Sequence, residues 1–173
     1  MLAARPVASS HAVRLACAVA LLVALALAAG CATHRAAPPP PPPPPSLPAA
    51  SQGSAIAAFA ASLVGTPYHF GGADAAGFDC SGLALYVYQR FGLAIPRTAA
   101  AQQRAARPVS LAELAPGDLV FFHMHAWHGI DHVGIYAGGG RFIHSPRPGQ
   151  GVTYADLTRG FYARHVRGAG RFW

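Results

Sequence analysis

Phe78-Asp79-Cys80-Ser81-Gly82-Leu83-Ala84-Leu85-Tyr86-Val87-Tyr88-Gln89-Arg90-Phe91-Gly92 is the stretch on which the reading of the chain turns. Asp79 is a good N-cap, Leu83, Val87 and Phe91 share one face, and Gly92 is a fitting terminator. The pattern therefore predicts a helix that opens at Cys80. A thiol in a first helical turn meets the positive end of the macrodipole and orphan N–H groups. Both stabilise thiolate, and the same N–H groups can hold the oxyanion formed when it attacks a carbonyl. Asp79 opposes this slightly, although its capping bonds direct its charge into the helix.

Upstream, residues 55–64 read as an Ala-rich helix with Ile56, Phe59, Ala60 and Leu63 on one stripe. Gly65-Thr66-Pro67 ends it, and residues 68–77 form a Gly-rich loop. Downstream, a helix over 98–106 follows Pro96-Arg97. Ala115-Pro116-Gly117-Asp118 is a turn launching a strand over 119–122, and further strands cover 132–137, 141–145 and 151–154. Helices first and strands second is the order of an α+β domain, with N-terminal helices packed on a C-terminal antiparallel sheet. Two imidazoles, His132 and His144, fall on neighbouring strands. A helix-start thiol with two strand-borne imidazoles is the layout of nucleophilic hydrolysis. On the first of these strands His132, Gly134 and Tyr136 share one face, while Val133, Ile135 and Ala137 face the core.

The hairpin between the two His strands makes a geometric demand. A two-residue loop at Gly138-Gly139 makes paired residue numbers sum to 277 and puts the imidazoles on opposite faces. A three-residue loop, 138–140, makes them sum to 278, so that Gly134 opposes His144 and His132 lies diagonally on the same face. Three glycines suit the odd-length loop, which is the one expected.

The N-terminal part is of another kind. Arg5, His11 and Arg14 precede an apolar run over 15–27, which reads as an export signal covering residues 1–31. It ends Leu27-Ala28-Ala29-Gly30-Cys31, similar to a bacterial lipobox, with Ala28 where Leu is usual. Cys31 is therefore expected to carry lipid, plain secretory cleavage being the alternative. Eight consecutive prolines, Pro38 to Pro45, make residues 32–50 a stalk. At about 3.1 Å per residue the run spans roughly 25 Å as polyproline II. The folded domain, residues 51–173, then contains one Cys, since Cys17 and Cys31 lie in the leader; an internal disulfide is impossible there. All thirteen basic residues are Arg, and the formal net charge is +7. Such a surface favours anionic partners, but the Arg residues are scattered and no nucleic-acid module is recognisable, so no nucleic-acid partner is expected.

Seven motifs occur in order: Gly65-Thr66-Pro67-Tyr68, Gly71-Gly72, Phe78-Asp79-Cys80-Ser81-Gly82, Pro96-Arg97-Thr98 with Gln102, Pro116-Gly117-Asp118-Leu119-Val120-Phe121-Phe122, His132-Val133-Gly134-Ile135-Tyr136 and Arg141-Phe142-Ile143-His144-Ser145. Together they resemble the NlpC-type cell-wall peptidases, papain-like cysteine hydrolases of bacterial peptidoglycan, over essentially all of residues 51–173. The resemblance implies Cys80 as nucleophile, His132 as general base and His144 as the group orienting it. It also implies that Tyr68 shapes the oxyanion site and that Asp79, Ser81 and Arg97 line the substrate groove. The reaction it implies is hydrolysis of the γ-D-glutamyl to diamino-acid bond of stem peptides, with no cofactor, by a monomer anchored in the cell envelope. A carboxylate at Asp79 and a guanidinium at Arg97 are expected to hold the amino group and the α-carboxylate of the substrate. The alternatives are an amidase or acyltransferase using the same thiol, and a non-catalytic wall-binding lipoprotein. His123, His125 and His128 depart from the family in number; with His132 they have a spacing able to ligate a transition metal, but solvated imidazoles are expected and no metal.

Overall fold

The computed structural model describes residues 49–125 and 129–173; the export signal, Cys31 and the proline run lie outside them. Helix α1 (Ala49–Ser62) leads into a small hairpin, β1 (Ala73–Asp74) and β2 (Gly77–Phe78), then α2 (Cys80–Arg90) and α3 (Ala99–Ala105). Strand β3 (Arg107–Val109) and a 3-10 turn (Leu111–Glu113) precede β4 (Leu119–Phe122), β5 (His132–Gly138), β6 (Arg141–His144) and β7 (Thr153–Asp156). The chain closes with α4 (Gly160–His165) and β8 (Val166–Arg171). The large sheet has six strands in the order β3-β8-β4-β5-β6-β7, every neighbouring pair antiparallel.

The α+β expectation holds, with further elements: the β1-β2 hairpin, β3, the 3-10 turn, α4 and β8. Strand β8 inserts between β3 and β4, so the C-terminal residues lie inside the sheet. Arg171 at its end donates to both carboxylate oxygens of fully buried Asp118, each bond 2.6 Å long. That pair fixes the end of β8 against the turn that starts β4. Helix α4 joins β7 to β8.

Helix α2 is built as its sequence requires. The Asp79 side chain accepts from Gly82 N–H at 2.6 Å, and Gly92 follows the C-cap Phe91 with φ +72°. The Gly92 and Leu93 N–H groups return to the Gln89 and Tyr88 carbonyls, the paired bonds of a Schellman stop. Its buried side, Leu83, Ala84, Val87 and Tyr88, packs with Ile56 and Ala60 of α1 on Leu119, Phe121, Val133, Ile135 and Ile143.

The opposite face of the sheet is also covered. Val120, Phe122, Phe142, Leu157 and Ala169 form a second cluster, with Tyr136 and Tyr162 against it. The side of β5 bearing His132 and Tyr136 is therefore a second apolar layer. An unbroken run such as Leu119-Val120-Phe121-Phe122, buried at all four positions, suits a strand covered on both faces.

The His hairpin has the register that an even sum requires. Ile135 pairs with Ile143 and Tyr136 with Phe142, both summing to 278. The means differs from the expected three-residue loop. A bulge between Tyr136 and Gly138 absorbs the extra residue, Gly138 pairs with Arg141, and Gly139-Gly140 forms the turn. All three glycines have positive φ (91°, 60° and 72°), which side chains other than glycine rarely tolerate.

Candidate active site

Cys80 opens α2 and lies against the start of β5. Its thiol approaches the Asp131 carbonyl at 4.0 Å, and the backbone N–H groups of Val133, Ser81 and Cys80 itself pull its pKa down. Burial and the Asp79 carboxylate act the other way and win, pushing the thiol up to about 11. This corrects the expectation of a helix-start thiolate in the free protein. Desolvation of the charged form outweighs the donors, and the negative charge of Asp79, the preceding residue, adds to it.

His132 and His144 meet as the register demands. His132 Nε2 and His144 Nδ1 are 2.8 Å apart, and the rings are nearly perpendicular at 85°. Both are buried, at 6% and 2% exposure. Burial lowers His132 to about 4 and His144 to about 3, so both imidazoles are neutral at pH 7. A hydrogen bond between two neutral imidazoles has one donor. If His132 carries its proton on Nε2 and donates to His144 Nδ1, its own Nδ1 is left as an acceptor for a thiol proton. Ser145, fully buried beside His144, donates to the Phe78 carbonyl at 2.7 Å. This ties the end of β6 to the entry of the nucleophile helix.

Asp79, Ser81 and Arg97 come together, in a different arrangement from the one expected. Arg97 grips both Asp79 oxygens, Nη1 to Oδ1 at 3.0 Å and Nη2 to Oδ2 at 2.6 Å, and Nη1 also reaches Ser81 Oγ at 3.0 Å. Gly71 N–H and Ser81 Oγ add further donors to the same carboxylate. Separate carboxylate and amine clamps are not what the free protein presents. Two complementary ions close to each other pair before either meets a ligand, and the planar fork fits the carboxylate. Gln102, fully buried, completes the support by donating to the Ser81 and Pro96 carbonyls at 3.0 and 2.8 Å.

A cleft of about 270 Å³ opens over the nucleophile. Tyr68, Asp79, Cys80, Ser81 and Asp131 line it, and so does Phe70, which is 92% exposed. Arg97 stands behind Asp79 and is not among the lining residues. Tyr68 stays a phenol: burial and then the neighbouring Cys80 and Asp79 raise its pKa.

The sequence reading singled out neither Asp131 nor Phe70. Asp131 accepts from Met124 N–H, His125 N–H and His125 Nδ1 at 2.7, 3.0 and 2.8 Å. His125 is thereby tied to a carboxylate. His123 Nε2 lies 2.8 Å from the His125 carbonyl, and His128 lies outside the described residues. Among the described residues no three His, Cys, Asp or Glu side chains converge as metal ligands.

Residues 65–171 match the NlpC/P60 family. The chain belongs to that family. The murein DD-endopeptidase MepH of Escherichia coli (strain K12) is 45% identical over 112 residues, 62% of this chain and 41% of that protein. A gamma-D-glutamyl-L-lysine dipeptidyl-peptidase of Bacillus subtilis (strain 168) is 39% identical over 104 residues, 60% of this chain and 35% of that protein. The solved structure of an NlpC/P60 family protein from Bacillus cereus ATCC 10987 superposes with a TM-score of 0.66. It is 34% identical to this chain, covering 73% of this chain and 41% of that one. The chain thus spans about two fifths of the length of such relatives. The NlpC/P60 match holds Cys80, His132, His144 and all their supports described above, and the observed helices and antiparallel sheet are the papain-like architecture of these NlpC/P60 neighbours.

Proposed function

We propose that this chain is a cysteine endopeptidase of peptidoglycan stem peptides, with Cys80 as nucleophile, His132 as base and His144 as its orienting partner. The observation that carries the reading is the 2.8 Å His132–His144 bond at the start of β5, whose backbone on either side of His132 meets the Cys80 sulfur. With a carbonyl in the cleft, Cys80 Sγ attacks carbon as its proton passes to His132 Nδ1. The imidazolium that forms is stabilised by the His144 Nδ1 lone pair. Backbone N–H groups at the start of α2, with Tyr68 beside them, face the developing oxyanion. Collapse expels the amine, which takes the proton from His132 and leaves a thioester on Cys80. Water, deprotonated by His132, then releases the acid and restores the thiol.

The favoured bond is that between γ-linked D-Glu and the diamino acid, supported by the name of the Bacillus subtilis relative. In this reading Asp79 and Ser81, held by Arg97 from behind, meet the D-Glu end of the substrate. A second reading, cleavage of the D,D cross-link between stems, is favoured by the name of the Escherichia coli relative. Digestion of defined monomeric and cross-linked muropeptides, with products identified by mass, separates them. A dipeptide ending in D-Glu supports the first reading, and uncrosslinked but otherwise intact stems the second. Intact stem peptide released from sugar makes the chain an amidase, and no product from any substrate overturns the enzyme reading.

The same proposal places the domain, acting as a monomer, in the cell envelope. Cys31 carries the lipid and the proline run ahead of α1 lifts the domain off the membrane. The Ala-Ala-Gly-Cys ending and the proline run support this. Among the described residues no helix is long and apolar enough to cross a membrane. Labelling with a fatty-acid analogue marks the wild type and not Cys31→Ser if the anchor is there; equal labelling removes it.

A further inference from the structure

The imidazole pair is enclosed by rings from three elements. Phe122 of β4 lies 5.8 Å from His132, and Phe142 of β6 lies 4.9 Å from His144. The third wall comes from α4. The Tyr162 ring is 6.2 Å from His132 and nearly parallel to it at 27°, and 5.0 Å from His144 at 87°. It also meets Phe122 at 5.5 Å and Phe142 at 5.0 Å, so one side chain touches every ring of the group.

Helix α4 has six residues, too few to hold a position by its own hydrogen bonds. It is held from outside. Asp156 at the end of β7 accepts from Thr158 N–H, Thr158 Oγ1, Arg159 N–H and Arg159 Nε, which fixes the turn into α4. At its other end β8 begins at once, and the His165 carbonyl accepts from His123 N–H. A bridge fastened at both ends carries Tyr162 to the dyad.

We infer that Tyr162 is a positioning residue for the His132–His144 pair, its ring completing an aromatic wall that keeps water from the bond between them. The inference rests on the cysteine-peptidase reading for the role of that pair. Desolvation is the largest influence on both imidazoles, so the wall, more than any charge, holds them neutral. Among the described residues the charged groups that act here are few. Asp131 favours and His125 opposes protonation of His132, His132 opposes that of His144, and Arg147 acts on Tyr162. Phe122 and Phe142 stand on central strands and serve the core as well. Tyr162 is the wall ring that the sheet itself does not supply. Opening the wall admits water to the pair, which makes protonation easier and gives the His132 ring freedom to leave the thiol.

The test is an NMR titration of ring-labelled histidines in the folded, substrate-free protein, beside the pH dependence of kcat and KM on a stem peptide. In the wild type both buried imidazoles stay neutral to below pH 5. Tyr162→Ala raises their midpoints by about one unit or more toward the ordinary value of about 6.5 and lowers kcat with little change in KM. Tyr162→Phe behaves as wild type. If the alanine chain does not fold, Tyr162→Leu, narrower than the ring it replaces, shows the same upward shift in smaller measure. Wild-type imidazoles titrating near 6.5, unchanged midpoints in the alanine or leucine chain, or a phenylalanine chain that titrates like the alanine one each overturn the inference. The titration needs no substrate, so it stands or falls separately from the identity of the bond cut.

Discussion

The two faces of β5 differ in what they are made of. Toward α2, Val133 and Ile135 are wholly buried in the main apolar cluster, where aliphatic side chains mix with Phe78, Tyr88 and Phe121 and no imidazole enters. On the other side His132 and Tyr136 lie among rings, with Gly134 between them. A Cβ at Gly134 would run into the Phe142 ring, so the glycine is what lets Phe142 lie across the strand beneath the imidazoles. One face supplies cohesion. The other, capped by partly buried Tyr136 and Tyr162, buries two polar rings that satisfy each other. The lesson is that a buried face can serve chemistry as well as stability, because desolvation sets the protonation state of what it encloses.

Substitutions on the two faces, and at the sulfur they position, should separate the roles. Cys80→Ala lowers hydrolysis by several powers of ten, as expected when a covalent nucleophile is lost, while the thermal midpoint barely moves. Activity near wild type, or a collapsed fold, breaks the assignment. His144→Ala lowers kcat by about 10²–10³ through misorientation of the base, read from initial rates on a stem peptide. Ile135→Ala, on the other face, costs about 2–5 kcal/mol in urea unfolding, yet the folded fraction keeps a normal pH profile. If Ile135→Ala instead shifts the pH profile while His144→Ala only loses stability, the division of labour is wrong.

Much of this was legible in the sequence, for reasons that differ by residue. Cys80 announced itself through a cap, a helix face and a terminator, all local signals. The meeting of His132 and His144 followed from strand parity, which survived even though a bulge replaced the expected loop. What escaped was non-local or too short. Val166-Arg167-Gly168-Ala169-Gly170-Arg171 has no alternation of apolar and polar residues to mark it as a strand, and its anchor, Asp118, lies 53 residues away. Arg97 and Asp79 were both picked out through the family resemblance, but their pairing was not, since only the fold brings the fork to the carboxylate. Helix α4, with Tyr162, is too brief to show a helical period.

A smaller effect tests the imidazole face through pH. An unfolded histidine titrates near 6.5, whereas His132 and His144 are held at about 4 and about 3 by burial. Below 6.5 the unfolded chain therefore binds protons that the folded chain refuses. The stabilising share of these groups is complete above 6.5 and is lost as pH falls toward 4 and then 3. Urea midpoints should fall across that window in the wild type, and fall less in His144→Ala. Equal slopes in the two chains would mean that the pair is not held neutral.

The most direct measurement is to trap the thioester. Wild-type protein mixed with a stem peptide, quenched in acid within the first turnover and weighed intact, should carry one added acyl fragment, located by digestion on the peptide containing Cys80. The fragment should have the mass of the acid product less water, and Cys80→Ala should carry none. Turnover without any adduct, or an adduct that persists in Cys80→Ala, would contradict a mechanism that runs through this sulfur.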